Sequence, residues 1–204
     1  MPALSAIIFD LGNVLVDWSV AAFLKDHGYS DANCARLLKG ALSLEWHGIA
    51  DLGVPIGENV RQRLSQYPDD IAAIQLYAER WPDTIRGEIS GTVDILKSLS
   101  AQGMPLYALT NFPADQFPAF HQRFEFLKLF KSIVVSGEVG LKKPDPRIFA
   151  LSLDRFGCDP ETTLFIDDRH ENCEAADRFG LHTHQFTQPD KLRDALEQLG
   201  LMAV

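Results

Sequence analysis

Residues 6–18 read AIIFDLGNVLVDW. Ala6, Ile7, Ile8 and Phe9 form an unbroken apolar run, the pattern of a strand buried on both faces, and the run stops at Asp10. A carboxylate therefore stands where a buried strand ends. Gly12 and Asn13 follow at once, and both tolerate tight or left-handed backbone, so the chain can wrap a ligand just beyond the strand tip. In an open parallel sheet that tip is where ligands bind.

Beyond Trp18 the pattern changes. Apolar residues recur at helical spacing in Val20, Phe23 and Leu24, in Leu37 and Leu38, in Val60 and Leu64, and in Ile71, Ile74, Leu76 and Tyr77. Gly28, Gly40, Gly48, Gly53, Pro55, Gly57 and Pro68 punctuate the stretch into about four short helices, with no strand predicted before residue 89. This reads as a helical subdomain, residues 17–87, inserted into a core made of 1–16 and 88–204. It carries Trp46, Trp81, His47 and Asp51, which can either touch a ligand or serve as core aromatics and solvated polar groups.

From Gly91 onward helix and strand alternate. Thr92 to Ala101 has Val93, Leu96 and Leu99 on one face, with Gly103 placed as a helix-ending glycine. Strands are predicted at 104–109, 132–135, 164–166 and 182–186, and helices at 115–129, 146–156, 171–179 and 191–199. Such alternation implies βαβ crossovers and a mainly parallel α/β sheet covered on both faces. Asp10, Thr110, Asn111, Asp167 and Asp168 all follow strands, so they converge at the carboxyl edge of one sheet, with Lys143 on a nearby loop.

Three carboxylates at one sheet end repel one another unless something cationic is shared. Oxygen ligands with no His or Cys cluster suit Mg2+, a hard ion that keeps waters and bridges to phosphates. Lys143 adds a point charge for the same anion, and the Thr110 hydroxyl and Asn111 amide can donate to its oxygens. A metal, a lysine, donors and a positioned nucleophile are the parts of phosphoryl transfer, and Asp10 can attack phosphorus to form an aspartyl-phosphate. Capping of the following helix accounts for one of the two adjacent aspartates, not both.

Composition narrows the setting. With 46% hydrophobic and 23% charged residues, the 204-residue chain has the make-up of a globular domain. The formal charge of -9 gives no general attraction to nucleic acid or anionic lipid, so an anionic substrate must be held by local basic groups. Cys34, Cys158 and Cys173 are sparse and odd in number, which favours free thiols in a reducing, cytoplasmic compartment; Cys173 reads as a packing residue. No apolar run is long enough to span a membrane, and no basic leader precedes the first strand. The sequence carries no signal of oligomeric state.

Four segments together resemble the haloacid dehalogenase superfamily, in particular its phosphatases with a small helical cap. They are IIFDLGNVLVDW, ALTN at 108–111, GLKKPDPRIF, and LFIDDRHENCEAADRFGL, in family order and spacing. The resemblance implies a Rossmann-like core with the cap inserted after the first motif. It implies Asp10 as nucleophile and magnesium ligand, Thr110 as phosphate binder with Asn111 beside it, and Lys143 as the lysine that neutralises both. Asp168 matches the principal acidic magnesium ligand and Asp167 a second ligand or its supporting partner; Asn172, one helical turn beyond Asp168, is placed to hold a metal-bound water or to orient that acid, and Lys142 is expected to be a surface neighbour. Gly12 departs from the pattern, because family phosphatases usually carry there a second Asp that protonates the leaving group. At Gly12 only the backbone carbonyl can serve the metal. General acid help is worth ~10²- to 10⁴-fold in rate, so its absence implies slow turnover, a leaving group that needs little protonation, such as the anomeric oxygen of a sugar 1-phosphate, or an acid supplied by the cap.

The expected function is a Mg2+-dependent phosphatase for a small phosphorylated metabolite, for example a sugar phosphate. The alternatives are a metal-independent 2-haloacid dehalogenase, whose departing halide needs no proton, and a non-catalytic phosphate-binding module.

Overall fold

The computed structural model describes residues 3–202. Five parallel strands form the central sheet in the order β5-β4-β1-β6-β7: β1 (Ala6–Phe9), β4 (Leu106–Thr110), β5 (Ser132–Val135), β6 (Thr163–Asp167) and β7 (His182–Gln185). β1 lies in the middle, pairing Ile7 with Leu106 on one side and with Leu164 on the other. Its apolar run is explained by that position, because both its faces are covered. Ile7 and Phe9 join one apolar cluster, while Ile8 joins the other with Leu109, Val134 and Phe165.

Helices α6 (Ser90–Ala101), α7 (Phe117–Arg123) and α11 (Pro189–Gln198) supply residues to the first cluster, and α9 (Pro146–Phe156) and α10 (His170–Arg178) to the second. α8 (Ser136–Val139) is a single turn after β5. The helix expected over 115–129 is divided: α7 ends at Arg123, Phe124 turns extended, and a 3-10 segment Glu125–Leu129 follows. Its Phe spacing nonetheless fills the core, with Phe117, Phe120, Phe124 and Phe126 all buried.

The inserted segment holds α1 (Val20–Asp26), α2 (Asp31–Lys39), α3 (Leu44–Ala50), α4 (Ile56–Gln66) and α5 (Ile71–Glu79). Ser19, Ser30 and Ser43 start the first three by accepting the N–H of Ala22, Asn33 and Trp46. One expectation fails here. The segment is closed by a strand, β3 (Ile85–Glu88), antiparallel to β2 (Val16–Trp18), and the two form the ribbon by which the chain leaves the core and returns. Four residues spelling IRGE have no alternation of their own; the strand exists because β2 offers a partner edge. Apolar contact runs without a break from Val14, Leu15 and Val16 to Phe23, Leu24, Leu37, Ile74 and Tyr77.

Candidate active site

Asp10, Thr110 and Asp167 stand at the carboxyl ends of three adjacent strands, β1, β4 and β6. Lys143 reaches them from the loop before α9. That loop is pinned by local chemistry: Asp145 caps α9 through the N–H of Arg147, Pro146 takes the first helical position, and Asn111 brackets Lys143 from the β4 side. The Lys143 ammonium is buried and spends its three protons on Asp10 Oδ1 at 2.9 Å, Asp167 Oδ2 at 2.7 Å and the carbonyl of Leu109 at 2.8 Å. Burial alone would lower its pKa, but Asp10 and Asp167 more than offset this and raise it.

Asp10 Oδ1 also accepts the N–H of Leu11 at 2.7 Å, so that oxygen is fixed from two sides. Among the described residues Oδ2 accepts no hydrogen bond, which leaves it the free oxygen of the pair. Asn13 takes the left-handed backbone expected of this loop, with φ 56, and its side chain accepts the N–H of Trp18. Gly12 does not need left-handed backbone, and a Cβ built on it would meet nothing within 4 Å. Its lack of a side chain is therefore open space beside Asp10, not a demand of the turn.

Carboxylate oxygens of Asp10, Asp167 and Asp168 can all lie within 4.8 Å of one another. Burial, with Asp167 and Asp168 adding to it against Lys143, pushes Asp10 up to about 7, and burial with Asp167 raises Asp168. A single lysine thus leaves this cluster short of positive charge. A hard divalent cation fits the donor set, since all the donors are oxygens. Asp167 is fully buried with both oxygens engaged: Oδ2 by Lys143 and Asn172, Oδ1 by Asn172 and the N–H of Arg169. Asp168 is half-buried and lines the cavity. Asn172 orients Asp167 rather than Asp168. Cys173 packs beneath, its thiol donating to the Asp167 carbonyl at 3.5 Å and pushed up to about 11 by burial.

One sequence expectation needs correction, that for Lys142. Asn111 lines the cavity; it donates one amide N–H to the Lys143 carbonyl at 3.0 Å and accepts the Lys143 N–H at 2.9 Å, which positions the lysine and leaves its second amide N–H available to an anion. Lys142, expected to be a surface neighbour, turns inward and donates to the carbonyl of Gly48 on α3 at 3.0 Å, tying the core loop to the inserted helices.

The cluster opens into a cavity of about 350 Å³, lined on the core side by Asp10, Gly12, Thr110, Lys143 and Asp168. Across it stand Trp18, His47, Asp51, Trp81 and Ile85, with Phe112 beside them. His47, Asp51 and Trp81 therefore do reach the cavity, whereas Trp46 packs into the helical core. Trp81 donates its indole N–H to the Tyr77 hydroxyl at 3.0 Å, and that hydroxyl bonds His47 Nδ1. Because the indole can only donate, the arrangement that uses every proton has Tyr77 donating to Nδ1 and the imidazole proton on Nε2. Nε2 lies 3.9 Å from Asp51 Oδ1. Burial, with Lys142 adding to it, lowers His47 to about 4, and burial raises Asp51 to about 6 against the pull of Lys142, Lys143 and Arg169. Burial thus disfavours the charged form of both groups. Trp18 and Phe112 were not anticipated as cavity walls; an aromatic immediately after each strand-end motif is the signal that could have found them.

The family model for haloacid dehalogenase-like hydrolases matches residues 4–180. Sesquiterpene phosphatase astK of Aspergillus oryzae is 26% identical over 86% of this chain and 86% of its own. Phosphoglycolate phosphatase of Aliivibrio fischeri is 25% identical over 95% of this chain and 93% of its own. Acyl-CoA dehydrogenase family member 10 of Mus musculus is 26% identical over 95% of this chain, which spans 19% of that longer protein. Among solved structures, a HAD family enzyme of Bacteroides thetaiotaomicron in complex with magnesium and inorganic phosphate superposes with TM-score 0.69 at 20% identity, covering 91% of this chain and 95% of that one. A dehalogenase superposes with TM-score 0.73 at 17% identity, covering 96% and 98%. These likenesses share the fold, and the family match spans four of the five strands of the central sheet and the helices between β2 and β3: the chain belongs to the haloacid dehalogenase-like hydrolases.

Proposed function

We propose that the protein is a Mg2+-dependent phosphatase that hydrolyses a small phosphomonoester, such as a sugar phosphate, through an aspartyl-phosphate on Asp10. The observation that carries this reading is the Asp10 carboxylate: one oxygen is anchored by Lys143 and Leu11 N–H while the other is free beside Thr110 and Asp168. Asp10 and Asp168, with the Gly12 carbonyl, would hold the ion, and Asp167 would support them through Lys143 and Asn172. When bound, Mg2+ neutralises the phosphoryl oxygens and restores the charge of Asp10. Asp10 Oδ2 then attacks phosphorus, Thr110 donates to a phosphoryl oxygen, and Lys143 keeps the nucleophile ionised and oriented.

The phosphatase relatives support phosphorus over carbon as the electrophile. So does Asp168, since a metal-free dehalogenase has no use for a third carboxylate at this point. The cavity suits a small alcohol with one apolar face, which Trp18 and Trp81 can cover. Among the described residues no helix is long and apolar enough to cross a membrane; the cysteines are free, and on that thiol chemistry we place the protein in the cytoplasm. Phosphate release from a panel of sugar phosphates and small phosphoacids with Mg2+ tests the reading. Asp10→Asn should abolish the release, and release that survives this substitution overturns the proposal.

A further inference from the structure

We propose that Asp51, at the end of cap helix α3, is the general acid of this site and protonates the leaving oxygen, the task for which Gly12 offers no side chain. The inference rests on the phosphatase reading above.

Four carboxylates line the cavity: Asp10, Glu45, Asp51 and Asp168. Asp10 is fixed by Lys143, Asp168 belongs to the same cluster, and Glu45 is exposed to solvent. Asp51 remains. It is 7% exposed, and its buried Oδ1 has no hydrogen-bond partner among the described residues. A carboxylate left without partners at such a place is costly, so the group favours its protonated form. A protonated carboxyl has what the leaving oxygen needs, a proton donor, and Asp51 lines the cavity.

Its surroundings suit the reverse transfer as well. Lys142, Lys143 and Arg169 are near enough for their charges to favour the carboxylate once the proton has left. His47, held by the Tyr77 hydroxyl that also accepts from Trp81, has its Nε2 3.9 Å from Oδ1, beyond hydrogen-bond reach, so it does not tie up the Asp51 carboxyl. The opposition of burial and these cations holds Asp51 at about 6, a value suited to giving and taking a proton near neutrality. At Gly12 the space is open, so the alcohol portion of an ester can lie between the nucleophile and the cap.

The atoms balance. In the first step Asp10 Oδ2 forms a bond to phosphorus, the P–O bond to the alcohol breaks, and the Asp51 proton passes to the departing oxygen. The products are the aspartyl-phosphate, the free alcohol and Asp51 carboxylate. In the second step Asp51 takes a proton from water as its oxygen bonds to phosphorus, which releases Asp10 and inorganic phosphate and returns Asp51 to its protonated form.

The test is a leaving-group series with Mg2+: 2,4-dinitrophenyl phosphate, p-nitrophenyl phosphate, phenyl phosphate and 2-phenylethyl phosphate. Asp51→Asn, close to isosteric, should lose ~10²- to 10⁴-fold in kcat on the alkyl ester and progressively less toward the dinitrophenyl ester, whose oxygen leaves without a proton. The double variant Gly12→Asp/Asp51→Asn should regain much of the alkyl activity, since a Cβ fits at Gly12, and this rescue separates loss of an acid from loss of fold. An equal loss across the series, or no loss on the alkyl ester, overturns the proposal while the phosphatase reading stands. A wild-type protein that cleaves none of the four esters overturns both.

Discussion

Lys143 Nζ lies 2.7 Å from Asp167 Oδ2, with the side chains 1% and 0% exposed. Two charges so far from water are tolerable only together, and the same ammonium also holds Asp10. Lys143→Met should therefore cost about 3–5 kcal/mol in urea unfolding as well as activity, because it leaves Asp10 and Asp167 facing each other without a counter-charge. Adding Asp167→Asn removes one of those charges. The double variant should recover part of the lost stability and none of the activity; a double variant less stable than Lys143→Met would show that Asp167 stabilises by other means.

A cation bound by Asp10 and Asp168 binds the folded state alone, so Mg2+ should raise the melting temperature. The gain is about 2.7 kcal/mol at a concentration 100 times the dissociation constant. EDTA should reverse it, and Asp168→Asn should flatten the response to Mg2+ without lowering the metal-free melting point, since it relieves repulsion with Asp167. Thermal melts across a magnesium titration check both. A full response in Asp168→Asn would move the metal site elsewhere.

The strands and the motif residues were legible because each carries its own signal. β1 is apolar on both faces and ends in Asp10, and GLKKPDPRIF encodes a cap, a first-turn proline and the lysine they position. What the sequence hid depends on contacts distant in the chain. β3 exists only against β2, and the bracket that Asn111 makes around the Lys143 backbone joins residues 32 apart in the chain. Lys142 gave no sign of turning inward, because its partner is a carbonyl on α3 rather than a side chain. Gly12 was legible as a departure, yet only the open space around it says that a side chain there is omitted rather than forbidden.

His47 and Asp51 oppose each other in acid. The unfolded histidine takes a proton near 6.5 whereas the buried one resists until about 4, so stability falls as pH drops through that window. Asp51 keeps its proton up to about 6 in the fold but loses it near 3.8 when unfolded, so its contribution is fully present below 3.8 and lost as pH rises toward 6. Each effect is on the order of 3 kcal/mol at 1.4 kcal/mol per tenfold, and in the wild type they nearly cancel between pH 4 and 6.5. Asp51→Asn should expose the histidine alone and lose stability relative to wild type as pH falls from 6.5 to 4. His47→Gln should gain over the same range. Urea unfolding at pH 6.5 and 4.5 measures both, and parallel curves for the three proteins would refute the opposition.

Gly48 and Lys142 make a direct bond between α3 and the loop that carries Lys143, and Gly48 is small because the lysine tip needs its place: a Cβ there would collide with Lys142 Nζ. The colliding atom is the end of a flexible side chain, so Gly48→Ala should be cheap for the fold, with alanine's better helix propensity adding up to about 1 kcal/mol. The tether is what breaks. A hydrogen bond to a charged donor is worth about 1.5–3 kcal/mol, so KM should rise by about tenfold to a hundredfold with kcat changed less, as α3 loses its hold on the loop that carries Lys143. Lys142→Met removes the same bond from the other side and should do the same. Because both substitutions delete one interaction, the double variant should be no worse than either single one. Additive increases in KM would instead mean that Lys142 reaches the substrate directly.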